Sequence, residues 1–259
     1  MNNALLDIVG HAAVAGALVL TTHILLGRQV LQRGIIFIDL AVAQAAALGA
    51  VIGSLWLNAD HGWLQQAIAA IAALAMVSGL HYLEKRWPDI QEALIGASFV
   101  LLACAALLIT ASDPQGGEHI HDLMAGQILW ANNTQLFWLG LATLASLACM
   151  ALFSSPLLRF YIPFALAVTA AVQVVGVYLV FASLIFPALA CRKLQGKAFL
   201  AGAMLIGLGG YLAGLGTSLA TDLPTGPTIV VTLAAAALLG AALTGFAQGR
   251  SIRYNRADP

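Results

Sequence analysis

Eight apolar stretches, each close to the length that crosses a bilayer, account for most of this sequence. They run over about 4–26, 35–57, 64–83, 90–111, 135–152, 161–190, 198–219 and 227–247. About 20 apolar residues in a helix span the hydrocarbon of a membrane. Of the 259 residues, 61% are apolar and only 8% are charged. A soluble domain of this size has too little polar surface in such a composition to face water. A secreted or cytosolic enzyme, a nucleic-acid binder and a disordered chain are excluded on the same ground. The expected fold is all-α: a polytopic integral membrane helix bundle of about eight transmembrane helices, forming a single domain over 1–259 in contact with membrane lipid.

The few charges are segregated. Arg28 and Arg33 follow the first stretch, Lys85 and Arg86 the third, Arg192, Lys193 and Lys197 the sixth, and Arg250, Arg253 and Arg256 lie in the tail. The positive-inside rule puts all four groups on the cytoplasmic side. The segments 58–62, 113–122 and 221–226 carry no Lys or Arg and are expected outside. The start, MNNALLDIVG, lacks the basic region of a signal peptide and reads as a retained first span. Arg159 makes a difficulty, because 161–190 is too long for one simple span and too short for two. Either two short helices break near Gly176, or one long tilted helix ends in a turn at Pro187, or Arg159 is outside. Gly210 and Gly214 form a small-xxx-small pair, a packing signal in lipid. Cys104, Cys149 and Cys191 are far apart and read as small packing residues.

Ionisable groups inside spans are costly and therefore point to function. Asp39 is the strongest case, about one turn into the second span, with Gln44 further along. Five positions apart, they are about 140° apart around an ideal helix, so only a local distortion joins them. Asp39 reads either as a cation-binding carboxylate or as a residue at a helix start that takes a basic partner such as Arg33. Glu92, after Pro88 and Asp89, reads as a helix-capping acid in a first turn or as a further pathway carboxylate. In the segment DPQGGEHIHDL, Glu118, His119, His121 and Asp122 offer imidazole and carboxylate ligands suited to zinc, manganese or iron(II). His11, His23, His61 and His81 are scattered and read as packed or interfacial. The motifs GxSxG, HExxH and GxxxxGK[ST] are absent, so no catalytic residue is named and any ATP-driven role needs a partner.

VVGVYLVFASLIFPALACRKL resembles a pattern of the metal-transporting ABC permeases of the zinc, manganese and iron uptake group, the ABC-3 family. The matching residues are Gly176, Leu179, Val180, Leu184, Ile185, Pro187, Ala188, Arg192 and Leu194. LATDLPTGPTIVV resembles a second family segment through Asp222, Pro224, Gly226, Ile229 and Val230. QEALIGASFVLL is similar to a third at Glu92, Ala93, Ile95, Gly96 and Phe99, and LMAGQILW to a fourth at Leu123, Gly126 and Ile128. The matches keep chain order over most of the sequence. The family usually carries an Asp and a His four apart in the second span. Here Gln44 stands where the His would fall if Gly49 is aligned, and Asp39 is one position early.

The resemblance implies a type II importer-like permease in the bacterial inner membrane, importing a divalent transition metal by ATP-driven alternating access. It implies a permease homodimer, an ABC ATPase docking at Arg192, Lys193, Gln195 and Lys197, and a periplasmic metal-binding protein. Metal contacts are expected from Asp39, Gln44, Glu92, Glu118, His119 and His121, with zinc, manganese or iron as cargo and no permanently bound cofactor. A gradient-driven secondary transporter, with Asp39 or Glu92 as the coupling carboxylate, is the alternative.

Overall fold

The computed structural model describes residues 2–56, 62–110 and 126–254. Among them are nine α-helices and no strand: α1 (Asn2–Arg33), α2 (Ile38–Trp56), α3 (Gly62–Arg86), α4 (Gln91–Thr110), α5 (Asn133–Leu152), α6 (Ile162–Val175), α7 (Val177–Ala190), α8 (Gly196–Thr221) and α9 (Thr225–Tyr254). Short 3₁₀ turns, Pro88–Ile90 and Ile128–Trp130, lead into α4 and α5, and a π turn, Leu157–Tyr161, leads into α6. Seven segments are long and apolar enough to cross a membrane, and the apolar stretches of α2 and α7 are shorter. Large apolar side chains cover the outside, with Leu108 and Leu152 each 77% exposed. Such a surface is stable only against lipid.

Contacts between helix ends show that the basic residues share one end of the bundle. Arg33 meets Glu84, so α1 and α3 finish together. The backbone of Phe37 meets Glu92, so α2 and α4 start beside them. Arg33 also lies over the ring of Phe160, and Arg28 over Phe199 at the start of α8. Arg28 and Gln32 line one cleft with Arg192 and Gln195. At the opposite end, His11 of α1 meets Asn133 at the start of α5. There α5 begins with a capping box: Asn132 Oδ1 accepts from Gln135 N–H at 2.9 Å, and Gln135 Oε1 accepts from Asn132 N–H at 3.1 Å.

This arrangement decides among the alternatives for 161–190. The run is a hairpin. Both Phe160 and Arg192 lie at the basic end, and the chain reverses at Gly176 between α6 and α7. The bundle therefore gains one helix over the expected eight, and Arg159 and Arg192 fall on the same side. With 14 residues, α7 rises about 21 Å, short of the hydrocarbon thickness. Gly176 is thus a backbone break between two apolar helices. It is tolerated because it is buried in protein. Its φ of +81° and ψ of 163° are open essentially to glycine alone. Gly126, at φ +71°, lies so close to the carbonyl of Val175 that a Cβ there would collide with it.

The helices approach through small residues. Gly27 sets α1 against the carbonyl of Leu184 in α7. The Gly210 and Gly214 pair does what its spacing suggests: each faces α9 backbone, at Leu233 and Ile229, and Thr232 Oγ1 donates to the Gly210 carbonyl at 2.8 Å. Pro187 lies inside α7, where it cannot donate to the carbonyl of Ser183 one turn back. The Ser183 hydroxyl donates to Leu179 O at 2.6 Å and pairs with the Tyr211 hydroxyl at 2.8 Å, tying α7 to α8. A hydrogen bond between membrane helices contributes about 0.6 kcal/mol on average. Tyr211→Phe, which leaves Ser183 its bond to Leu179, is accordingly expected to lower unfolding stability by about that much, as read by reversible denaturation in detergent. A loss several times larger would show that the hydroxyl pair carries more of the α7–α8 contact than this.

Candidate transport pathway

The second helix brings two polar side chains into the protein interior. Asp39 is 1% exposed and Gln44 2% exposed. Both oxygens of Asp39 and Oε1 of Gln44 are buried and have no hydrogen-bond partner among the described residues. Arg33, the basic partner that Asp39 could have taken, is engaged elsewhere: its Nη1 lies 3.1 Å from Glu84 Oε1. In the first turn of α2 only the backbone N–H groups of Asp39 and Leu40 approach the carboxylate, and no counter-charge meets it among the described residues. A buried carboxylate without a counter-charge is costly and persists where a cation or proton comes to meet it.

Glu92 sits in the first turn of α4, but the helix start it serves is that of α2: its Oε1 accepts from Phe37 N–H at 3.2 Å. Its other oxygen is buried and unpartnered, and Glu92 lies within electrostatic reach of Asp39. The capping role and the pathway role therefore fall on the two oxygens of one side chain. The structure thus brings together Asp39 and Glu92, from helices 55 or so residues apart in the chain, by joining the starts of α2 and α4. Among the described residues, no three His, Cys, Asp or Glu side chains gather round one point. Glu118, His119 and His121 lie outside the described residues.

His23 was not distinguished by sequence from a packed histidine. It is fully buried, and its Nδ1 lies 2.8 Å from the carbonyl of Val19. A carbonyl only accepts, so Nδ1 carries the proton and the neutral ring keeps its lone pair on Nε2, which is buried without a partner. The signal lay in the helix period: His23 falls on the face of α1 that also holds Gly16, Leu20 and Gly27, the residues packed on α7 and α8.

A cavity of about 450 Å³ opens between α3, α5 and α6, bordered by Trp63, Gln135, Trp138, Thr169 and Gln173. No charged side chain lines it. At the basic end, the turn between α7 and α8 presents Arg192, Lys193, Gln195 and Lys197, all exposed. Clefts of about 370 and 390 Å³ flank it, one against α9 and one against α1, with Arg192 on the rim of both.

Residues 156–244, from the π turn through the hairpin and the basic turn to α9, match the model of the ABC 3 transport family. No curated protein matches the chain by sequence. Among solved structures, the fold resembles a chain of PsaBC from Streptococcus pneumoniae in complex with Fab. The TM-score is 0.71 at 18% identity, covering 93% of this chain and 95% of that one. It also resembles a metal-chelate type ABC transporter in an inward-facing conformation, with TM-score 0.60 at 16% identity over 90% and 83% of the two chains. Among the described residues, the nine-helix bundle with its broken hairpin and exposed basic turn shares its fold with these transporter chains. The family match covers the hairpin, the basic turn and most of the last two helices, about a third of the chain.

Proposed function

We propose that this chain is the permease subunit of an importer that carries a divalent transition metal (zinc, manganese or iron) across a bacterial inner membrane. Two copies form the pathway. An ATPase subunit docks on each basic turn, at Arg192, Lys193, Gln195 and Lys197, and a periplasmic binding protein delivers metal at the opposite end. The observation that carries the reading is Asp39, a carboxylate buried in the membrane region with no side-chain donor or counter-charge among the described residues. A passing cation would meet its charge, with Glu92 Oε2 as a further oxygen donor. Gln44, about 140° round the same unbroken helix, is not placed beside them. An oxygen-rich set suits manganese or iron(II) better than zinc, which favours nitrogen and sulfur. The remaining coordination positions fall to water or to the second copy. The motif resemblance to metal-transporting permeases supports the choice of cargo.

Alternating access supplies the mechanism. Closure of the ATPase dimer pushes on the basic turns, and the two permeases rock so that the carboxylates face one side at a time. The test is uptake of manganese, iron and zinc by a deletion strain, with co-purification of the tagged permease. A deficit in one of these metals, restored by the gene and dependent on ATP, together with a co-purifying P-loop ATPase, is expected. Metal uptake that survives ATP depletion, with no ATPase bound, would return the chain to the gradient-driven reading. Normal uptake of all three metals would refute the cargo.

A further inference from the structure

The basic end of the bundle closes on a single carboxylate. Glu84, in the last turn of α3, holds Arg33 Nη1 at 3.1 Å on Oε1 and accepts the Tyr161 hydroxyl at 2.8 Å on Oε2. His81 Nδ1 lies 3.3 Å from the same Oε2. Gln91 Nε2 in turn donates to the Tyr161 oxygen at 3.4 Å. The Arg33 guanidinium rests over the rings of Phe160, at 4.4 Å, and Tyr161, at 5.8 Å. The last turns of α1 and α3, the first turn of α4 and the π turn before α6 are thus tied at one point. The residue after Gln91 is Glu92, which holds the start of α2 and lies within electrostatic reach of Asp39. The knot and the unpartnered carboxylates share the first turn of α4.

We propose that Arg33 is the gate of the pathway at this end. Seated on Glu84, it places a positive charge among the joined helix ends on the basic side of Asp39 and Glu92, and a divalent cation leaving past these ends is repelled there. The inference rests on the cation-transport reading above. A guanidinium stays charged at every physiological pH, so the barrier does not depend on protonation. Like charges repel strongly where water is scarce, and pores use a single Arg to turn cations away. The knot also has the form of a latch. Arg33 and Glu84 are each a little over a quarter exposed, so the pair can separate into water without stranding a buried charge. It joins helix ends that rocking would draw apart. The π turn that carries Phe160 and Tyr161 is a local irregularity of the kind that marks moving or functional sites. When the latch opens, Arg33 swings off Glu84, the repulsion leaves the exit, and Glu84 itself is freed as a carboxylate on the way out.

A tie that only holds the fold together predicts a loss of stability and no leak. A gate predicts a leak. The permease, with its ATPase, is reconstituted in liposomes that enclose a fluorescent chelator, and manganese or zinc is added without ATP. The wild type is expected to be tight. Arg33→Gln is expected to raise the ATP-independent flux at least about tenfold, and Arg33→Lys, which keeps the charge, to stay within about twofold of wild type. A second readout needs no cargo. In a background with Cys104, Cys149 and Cys191 replaced by alanine, Gln44→Cys is labelled with a membrane-impermeant maleimide from the basic side. Labelling is expected to rise with Arg33→Gln and not with Arg33→Lys. If Arg33→Gln is not recovered in the membrane, the double variant Arg33→Gln with Glu84→Gln, which removes both charges of the pair and strands neither, carries both readouts. Unchanged flux and unchanged labelling in a folded variant would overturn the gate, even where ATP drives metal uptake by the wild type. Increased labelling in a protein that moves no metal with ATP would keep the gate and overturn the cargo.

Discussion

On the proposed transport reading, Asp39→Ala is expected to abolish ATP-driven metal uptake while the protein still inserts and remains folded. Most substitutions of buried residues lose stability by opening a cavity or stranding a polar group. This one removes a stranded group. Both Asp39 oxygens are buried without a side-chain partner, so only the backbone N–H groups of Asp39 and Leu40 offset the desolvation of the carboxylate among the described residues. The alanine variant is expected to be at least as stable in detergent as the wild type. Its uptake should fall by more than the 10- to 100-fold typical of losing an outer-shell partner of a metal site, to about background. Asp39→Asn separates charge from shape: it keeps the volume and one acceptor and should be nearly as inactive. Glu92→Gln should be milder, because its remaining carbonyl can still accept from Phe37 N–H. Normal uptake by a well-inserted Asp39→Ala protein would remove Asp39 from the pathway.

Gly176→Val disrupts the bundle itself. The residue joins α6 to α7 at φ +81° and ψ 163°, and holding a side chain in such a region costs about 1–3 kcal/mol, more for a β-branched one. The position is buried, so the valine methyl groups also need space that the neighbours occupy. The expected result is loss of most of the monodisperse, folded protein after extraction, with inserted protein still made. Gly126→Ala should act in the same direction through the other partner of the contact, since its Cβ would collide with the Val175 carbonyl at a positive φ. Gly216→Ala is the control: it is a helical glycine with nothing within 4 Å of the added carbon, and it should be neutral or slightly stabilising. A Gly176→Val protein with wild-type yield and melting behaviour would mean that the hairpin does not need this backbone.

The broad architecture was legible because lipid imposes a simple rule. Every backbone polar group must be bonded within the segment, and that requirement leaves helices whose length and apolarity are written in the chain. Other features were legible only in part. The run 161–190 carried its own contradiction, a length between one span and two with basic residues at both ends. The glycine at its middle acquires meaning only from the contact of Gly126 with Val175, some 50 positions away in the chain. The turn at 191–195 was readable as an exposed basic connection. The clefts beside it, formed with α1 and α9, were not.

Composition and the spacing of apolar residues thus determined by themselves that the chain is a membrane helix bundle, which residues are basic connections, and that Asp39 is anomalous. Those properties depend on residue chemistry and local period alone. Partnership was decided by the tertiary structure. Arg33 was the natural counter-ion for Asp39 by proximity in sequence, yet it pairs with Glu84, 51 positions on, and leaves Asp39 facing Glu92 across the joined starts of α2 and α4. His23 changes from one packed histidine among several to a ring with a buried free lone pair, because Val19 takes its only proton. Which charge meets which is set by how helix ends converge in space, and no local pattern along a single helix encodes that convergence.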